Sequence, residues 1–384
     1  MQENLNLKTF KNNINNNTKD KINNDLNNNI EIILPNDIKI SKFTANKEVK
    51  LQNVINCICD LKLNNILALG CKNKFIYLYD LYTLDFLNQI PPSSLSYLKP
   101  LHYPITLLEL FNGNLLVSYY GKLNAKIYSF DPANRGKYYL IQELDYITLA
   151  FSQIEIRDKK YIISINSGLT LSIILSYYDE EIKFYSKKND FQINDGTHIS
   201  QLTEINDKLF SVAKQNYGLY FYEIESLNFK FSIDIPNINE GAKKISKISD
   251  EIIAVPCHSP EKKAPSEIKL VNFKNKNIIK NIKLDSNNNY CSSILMYGND
   301  LIVYSFDSPD LFPDDDENVQ FNGNNNIILQ YKLDLKNVDL KFVAKIEKIH
   351  KGIVTGMILI DDWMNSKKYN IITCSVDDYL KLWK

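Results

Sequence analysis

The segment from His350 to Lys384 constrains the fold of this chain more than any other stretch. After a His-Lys-Gly start it contains three short apolar runs, Val354–Ile360, Ile371–Ser375 and Tyr379–Lys384, separated by loop and turn residues. Short runs of β-branched and aromatic residues bounded by turn residues are typical of strands, and helical spacing is sustained nowhere in the chain. The segment therefore predicts one repeat unit that is built of β-strands.

Six earlier segments contain a strand-like run that ends in an aromatic residue at the place of Trp383. The seven landmark residues are Tyr79, Phe130, Tyr177, Tyr222, Phe273, Tyr331 and Trp383. Their mean spacing is about 51 residues, and each interval holds four strand candidates. In the first interval these are Val54–Leu61, Ile66–Cys71, Phe75–Tyr79 and Asp85–Ile90. Seven landmarks predict seven four-stranded repeats.

The last repeat resembles those of the WD40 family, which have a Gly-His start, a Ser-x-Asp turn and a Trp-Asp end. His350, Ser375, Asp377 and Trp383 carry the resemblance, and earlier repeats keep only fragments of it. In the first repeat, for example, Asn73 stands at the Asp position. The resemblance implies an all-β fold, a single seven-bladed β-propeller over residues 30–384.

The last repeat is incomplete, because the given sequence ends one residue after its third strand. In the family that is resembled, an N-terminal strand usually completes the last blade and closes the ring. We expect Asp37–Thr44 to supply that strand, with Ile30–Leu34 as the alternative. Residues 1–29 contain 12 asparagines and few apolar anchors, and are predicted to be a disordered tail.

Four residues of the last repeat match a hydrogen-bond network of the family: His350, Thr373 (or Ser375), Asp377 and Trp383. Buried tryptophan N–H groups and His–Asp pairs need partners, and a chain of polar side chains satisfies them together. The order of residues resembles a catalytic triad, but the resemblance implies a structural role that holds strands and loop in register. No catalytic residue is predicted.

Composition and motifs disfavour several other classes of function. Lys plus Arg and Asp plus Glu number 45 each, so no net field favours nucleic acid or an acidic membrane. Phosphate-loop, dinucleotide, zinc-protease and hydrolase motifs are absent, and the six cysteines form no Cys-x-x-Cys pair. No apolar run is long enough to span a membrane. We therefore expect no cofactor, no metal, no small-molecule substrate, and a cytoplasmic location with the nucleus as the alternative.

Three loops are candidates for binding a partner. The loop from Asp307 to Asn326 joins the second and third strands of the sixth repeat, and the loop from His258 to Glu267 does so in the fifth. The third loop contains Trp363, one of two tryptophans. Apolar anchors inside a charged rim are typical of protein interfaces. The predicted binding residues are Leu311, Phe312, Asp314, Asp315, Asp316, Glu317, Lys262, Lys263 and Trp363.

These observations favour a non-catalytic scaffold or adaptor subunit that binds other proteins through propeller loops. Two alternatives remain open. One is a substrate-recruiting subunit of a ubiquitin ligase, although the Arg that commonly follows the Trp-Asp pair in such propellers is missing from all seven landmarks. The other is a propeller enzyme whose channel site is built from dispersed residues without a linear motif.

Overall fold

The computed structural model is almost entirely β-sheet and describes a large part of the chain. The described residues are 45–92, 102–121, 123–167, 171–181, 183–192, 199–214, 217–236, 238, 245–258, 265–286, 288, 290–306, 326–334, 336–361 and 369–384. They contain 28 strands, which form seven four-stranded antiparallel sheets. The predicted all-β fold with seven blades is therefore confirmed.

Each blade is a meander of four strands that are consecutive along the chain, except in the last. Strand β1 (Ala45–Lys50) precedes the first blade, which consists of β2 (Ile55–Leu61), β3 (Ile66–Cys71), β4 (Ile76–Asp80) and β5 (Phe86–Ile90). The second is β6 (Pro104–Glu109), β7 (Leu115–Tyr119), β8 (Lys126–Phe130) and β9 (Tyr138–Glu143). The third is β10 (Thr148–Ile156), β11 (Lys159–Ser167), β12 (Leu171–Asp179) and β13 (Phe184–Gln192).

The remaining blades follow the same order. The fourth is β14 (Ile199–Glu204), β15 (Leu209–Lys214), β16 (Gly218–Glu223) and β17 (Phe229–Asp234). The fifth is β18 (Ser246–Lys247), β19 (Ile252–Cys257), β20 (Glu267–Asn272) and β21 (Asn277–Lys283). The sixth is β22 (Tyr290–Tyr297), β23 (Asp300–Phe306), β24 (Ile327–Asp334) and β25 (Asp339–Glu347). The last has β26 (Val354–Asp361), β27 (Tyr369–Ser375) and β28 (Tyr379–Trp383), with β1 as its fourth strand.

An N-terminal strand completes the last blade, but it lies later in the chain than predicted. Strand β1 pairs antiparallel with β28, from Ala45 opposite Trp383 to Lys50 opposite Tyr379. The predicted segments Asp37–Thr44 and Ile30–Leu34 lie outside the described residues. Asp37–Thr44 was favoured because it precedes Val54 much as Lys341–Ile346 precedes Val354. In β1 Glu48 forms an ion pair of 2.8 Å with Lys381, and Lys47 forms one of 2.7 Å with Asp85 of the first blade.

Six of the seven landmark aromatic residues face the blade that precedes their own. Trp383 packs in the cluster shared with the sixth blade, and Tyr79 packs in the cluster shared with the last. The exception is Tyr177, which packs towards the fourth blade. In that sheet the neighbouring Ser176 faces the second blade instead, and its hydroxyl lies 2.8 Å from that of Tyr146. In the third blade the position that faces the preceding blade is therefore held by Ser176, one residue before the predicted landmark Tyr177.

A repeated turn joins the third and fourth strands of several blades. The Asp80 carboxylate at the end of β4 accepts hydrogen bonds from the N–H groups of Tyr82 and Thr83. Asp334 does the same for Lys336 and Asn337 at the end of β24. An aspartate or asparagine that bonds to the backbone two or three residues ahead stabilises a tight turn. The described chain shows such bonds at Asp80, Asp131, Asp179, Asn272 and Asp334.

Side chains bridge neighbouring blades at the inner strands and at the outer rim. The Thr355 hydroxyl of β26 donates to the Ile55 carbonyl of β2 at 2.6 Å, which joins the last blade to the first. On the outer rim the Arg135 guanidinium lies 2.7 Å from the Asp80 carboxylate of the first blade. The Gln142 side-chain amide exchanges two hydrogen bonds with the Tyr185 backbone of the third blade, at 2.7 and 2.9 Å.

Deletion of residues 1–50 is expected to lower the melting temperature strongly, because it removes β1 and exposes the edge of β28. A ladder of four or five hydrogen bonds at about 0.5–1.5 kcal/mol each amounts to several kcal/mol, a large share of the stability of a typical domain. Deletion of residues 1–29 should leave the melting temperature unchanged. Thermal melting followed by circular dichroism distinguishes the two, and equal melting would contradict closure by β1.

Candidate functional site

The predicted network of the last blade forms one continuous chain of hydrogen bonds. The Trp383 Nε1–H group donates to the Thr373 Oγ1 atom at 2.9 Å. Thr373 Oγ1 lies 2.8 Å from His350 Nε2, and His350 Nδ1 lies 3.1 Å from the Asp377 carboxylate. Thr373 and not Ser375 holds the central position, and the Ser375 hydroxyl accepts from the Asp377 N–H group at 3.2 Å instead.

One protonation state satisfies every member of this chain. When His350 is neutral with its proton on Nδ1, Nε2 accepts the Thr373 hydroxyl proton and Nδ1–H donates to the Asp377 carboxylate. The threonine oxygen is then free to accept the tryptophan proton. If His350 were doubly protonated, both Nε2 and Trp383 would present protons to the threonine oxygen, and the threonine hydroxyl would lose its acceptor.

Burial and hydrogen bonding shift the pKa in opposite directions at each of the two titratable members. Burial lowers the pKa of His350, because removal from water disfavours the imidazolium ion. For Asp377 burial raises the pKa, but the bond with His350 and the N–H groups of Lys351 and Tyr379 outweigh it and lower the pKa to about 2. At neutral pH the pair is therefore a neutral imidazole bonded to a carboxylate.

The network continues into the sixth blade through Tyr304 and Asn326. The Tyr304 hydroxyl donates to the Asn326 side-chain oxygen at 2.7 Å and accepts from the Val354 N–H group at 2.9 Å. The Asn326 amide donates to the carbonyl oxygens of His350 and Gly352 at 3.2 and 2.9 Å. Together the six side chains lock the loop before β26 against both blades.

Sequence reasoning missed Tyr304 and Asn326, because neither belongs to the motif of the last repeat. Both stand at the ends of strands that flank a long loop, and Asn326 directly precedes β24. A tyrosine two residues before the end of an otherwise apolar strand is a weak signal, since its hydroxyl needs a partner only when it is buried. Tyr304 is 1% exposed, so its hydroxyl must find a hydrogen-bond partner within the protein.

The hydrogen-bonded order Asp377, His350, Thr373 matches the acid, base and nucleophile of a catalytic triad. The arrangement nevertheless leaves the threonine hydroxyl unable to act as a nucleophile. A nucleophile must reach a substrate, and Thr373 has 0% of its surface exposed. Its oxygen is also occupied by the Trp383 proton. The arrangement supports the structural role that was predicted for these four residues.

None of the nine predicted partner-binding residues lies within the described part of the chain. Leu311, Phe312, Asp314, Asp315, Asp316 and Glu317 fall between β23 and β24, and Lys262 and Lys263 fall between β19 and β20. Trp363 falls between β26 and β27. Because all blades run in the same strand order, the connections from second to third strands emerge on one face, here named the long-loop face. Strands β26 and β27, between which Trp363 falls in the sequence, meet at the opposite face.

Exposed tyrosines mark the long-loop face in two other blades. Tyr120 follows β7 and is 46% exposed, and Tyr217 precedes β16 and is 57% exposed. Tyr103, just before β6, stacks on Tyr120 with ring centroids 5.2 Å apart and planes within 5°. These residues were not predicted from the sequence. A Tyr-Gly pair in each turn, Tyr120-Gly121 and Tyr217-Gly218, is the signal that could have found them.

Known proteins resemble this chain in fold and not in sequence. No model of a protein family matches the chain, and no curated protein matches it. Among solved structures, the crystal structure of Saccharomyces cerevisiae Sqt1 matches with a TM-score of 0.57 and 9% identity, over 88% of this chain and 98% of that one. At this identity the likeness shows the fold, and with the network of the last blade it supports a WD40-like propeller. In all, 1431 solved chains match, so the fold singles out no partner.

The described residues contain no group of three or more His, Cys, Asp or Glu side chains placed to hold a metal ion. No helix among them is sufficiently long and apolar to cross a membrane.

Substitution of Tyr304 by Phe is expected to reduce the free energy of unfolding by about 1–3 kcal/mol, because it removes the buried hydroxyl that accepts from the Val354 N–H group and donates to the Asn326 oxygen. Urea denaturation followed by tryptophan fluorescence measures the loss. Tyr217→Phe is the matched control at an exposed site and should change stability by less than about 0.5 kcal/mol. Equal stability of the two variants would show that the Tyr304 hydroxyl contributes nothing.

The stability of the chain is expected to fall as the pH is lowered below about 6.5. The unfolded chain takes up a proton at His350 near that pH, whereas the folded chain, with its lowered pKa, does not. Urea midpoints between pH 7.5 and 5 measure the slope. A His350→Gln variant should be less stable at pH 7.5 but show a flatter dependence, since the other three histidines are unchanged. Parallel curves for the two proteins would refute the assignment.

Proposed function

We propose that this chain is a non-catalytic platform that binds other proteins through the long-loop face. The observation that carries the proposal is the exposure of Tyr120 and Tyr217 on that face, 46% and 57%. Tyrosine is enriched among the residues that dominate protein interfaces, because it combines a large contact area with a hydrogen-bonding hydroxyl. The two loops that were predicted to bind partners connect strands whose ends lie at this face.

The ring beneath this face is suited to hold several partners at fixed distances. Every blade is a four-stranded sheet, and buried clusters join each blade to the next. Side-chain bridges such as Thr355 to the Ile55 carbonyl lock neighbouring inner strands together. A rigid scaffold reduces the ordering cost that a loop would otherwise incur on binding. The proposal places the chain in the cytoplasm, with the nucleus as the alternative.

Two inner strands of the described chain end in a carboxyl whose pKa is raised by burial, Glu109 and Glu204. Glu109 ends the inner strand β6, and burial raises the pKa of its carboxyl. Such a group would suit a general acid, but both oxygens are engaged. They accept the N–H groups of Lys62 and Leu63 at 2.9 Å each, which caps the turn between β2 and β3. This residue therefore supports a structural role, and the platform remains the favoured function.

Affinity purification of the full chain with mass spectrometry tests the proposal. We expect at least one partner in stoichiometric amount, and its loss in a Tyr120→Ser/Tyr217→Ser variant because two exposed anchors are removed. Leu63→Ser is the matched control, since Leu63 is 67% exposed but lies on the opposite face. Absence of any stoichiometric partner, or equal loss in the control, would contradict the platform. Recovery of ubiquitin-ligase subunits would favour the recruiting role.

The acidic loop is tested separately by exchange of Asp314, Asp315, Asp316 and Glu317 for Ser. If the loop docks a basic partner, the variant should bind more weakly and its binding should depend less on salt, because exposed ion pairs are screened. Titration at two salt concentrations measures both effects. Unchanged affinity and unchanged salt dependence would exclude the loop as a docking site.

A further inference from the structure

Three neighbouring blades are built in the same way where their inner strands begin, on the long-loop face. In each of them the residue after the second strand donates its N–H group to the carbonyl of the residue before the inner strand. The pairs are Val376 to Ile353 in the last blade at 3.0 Å, Lys72 to Val54 in the first at 2.9 Å and Tyr120 to Tyr103 in the second at 2.8 Å. These six residues take equivalent positions and are named here the three-blade surface.

Side-chain bonds between the inner strands hold these three blades next to one another. The Thr355 hydroxyl donates to the Ile55 carbonyl at 2.6 Å, and the Asn56 side-chain amide donates to the Pro104 carbonyl at 3.5 Å. All four residues are the first or second of their strands, so the bonds lie directly beside the three-blade surface. The surface is therefore continuous from the last blade to the second.

Two lysines give this surface a positive charge. Lys72 belongs to it, and Lys351 lies two residues before Ile353; both are exposed. Neither side chain forms an ion pair with another described residue. An ammonium group that has no counterion within the described chain is available to a carboxylate of a partner.

The two acidic residues in the turn of the last blade do not cancel these lysines. The Asp377 side chain is 10% exposed, and its carboxylate is bonded to His350 and to the Lys351 N–H group. Burial and the neighbouring Asp377 raise the pKa of Asp378, and Lys50 is the cation beside it. The exposed charge without a counterion at this place is therefore positive.

The rings of Tyr103 and Tyr120 form the apolar part of the surface. They stack with centroids 5.2 Å apart and planes within 5°, and Tyr120 is 46% exposed. Because the stack already holds both rings in place, contact with a partner orders them at little cost. Aromatic side chains pack well on such rings. A basic side chain would also be attracted by tyrosine, but Lys72 in the adjacent blade repels it.

We infer that the three-blade surface binds an acidic peptide segment of a partner protein, in which carboxylates flank an aromatic side chain. The aromatic side chain packs on Tyr103 and Tyr120, and the carboxylates pair with Lys72 and Lys351. The inference rests on the proposed platform function and adds the chemistry of the partner.

A peptide suits this surface better than a nucleic-acid strand does. A strand carries a phosphate at every nucleotide and binds along a groove that is basic over its length. Here apolar residues lie between the two lysines, and the turn with Asp377 and Asp378 lies beside them. A peptide places carboxylates at the lysines alone and so avoids repulsion by this turn.

Panning of a phage-displayed library of random peptides on the full chain tests the inference. Enriched peptides should carry Asp or Glu on both sides of Phe, Tyr or Trp. Their affinity, measured on synthetic peptides by fluorescence anisotropy, should fall about tenfold or more with Lys72→Glu and with Lys351→Glu, because like charges then meet. Lys336→Glu is the matched control, since Lys336 is exposed in a turn on the opposite face. Circular dichroism confirms that each variant is folded.

Three results of this experiment overturn the inference directly. They are no enrichment on the wild-type chain, enrichment of basic or neutral peptides, and equal binding by Lys72→Glu and Lys336→Glu. A labelled oligothymidylate that binds the wild-type chain but not Lys72→Glu assigns the surface to nucleic acid and overturns the inference as well.

Two further measurements separate the remaining explanations. Peptide binding that appears only after exchange of Asp314, Asp315, Asp316 and Glu317 for Ser assigns the surface to the chain's own acidic loop and overturns the inference. A stoichiometric partner that is lost from Tyr120→Ser/Tyr217→Ser but retained by Lys72→Glu leaves the platform function intact and overturns only the acidic peptide. Failure of the inference is thereby distinguished from failure of the platform.

Discussion

Pairing of β1 with β28 is the interaction on which the rest of the ring depends. A propeller protects its sheets by leaving each blade packed between two others, so one open seam would expose two blade faces. Here the seam is closed by backbone bonds between residues from the two ends of the described chain, Ala45 to Lys50 and Tyr379 to Trp383. The Lys47 ion pair to Asp85 then fastens the closing strand to the first blade. The strand therefore joins two blades, although few of its side chains are buried.

The polar network beside this seam has a different role from the backbone pairing. Backbone pairing fixes which strands meet, and the chain from Trp383 to Asp377 fixes how the loop before β26 lies on them. The contribution of Tyr304 and Asn326 shows that the unit of stabilisation is the boundary between two blades. A buried hydroxyl or amide there costs free energy unless its partner on the adjacent blade is in place. That cost ties the packing of the sixth and last blades together.

Much of the architecture could be predicted from the sequence, because strand periodicity is local. The four strands of the first blade were expected at Val54–Leu61, Ile66–Cys71, Phe75–Tyr79 and Asp85–Ile90, and each is found within one residue or so. The closing strand was misplaced, because its stability comes from β28, far away in sequence. Tyr177 was misassigned since two adjacent residues of an apolar strand face opposite blades. The exposed tyrosines were missed because exposure depends on the packing of whole blades. The loop residues that were predicted to bind partners remain predictions.

The connection across the seam also orders events during synthesis. The carbonyl of Ile55 accepts a hydrogen bond from the Thr355 hydroxyl, 300 residues later in the chain. Strand β1 likewise can pair only after β28 has been synthesised. During translation the first blade therefore leaves the ribosome with one face and one neighbour missing, for as long as the other six blades take to appear. Contacts between distant residues form slowly, and unpaired strand edges invite wrong partners meanwhile. The polar, lysine-bearing character of β1 suits a strand that must remain unpaired for that time.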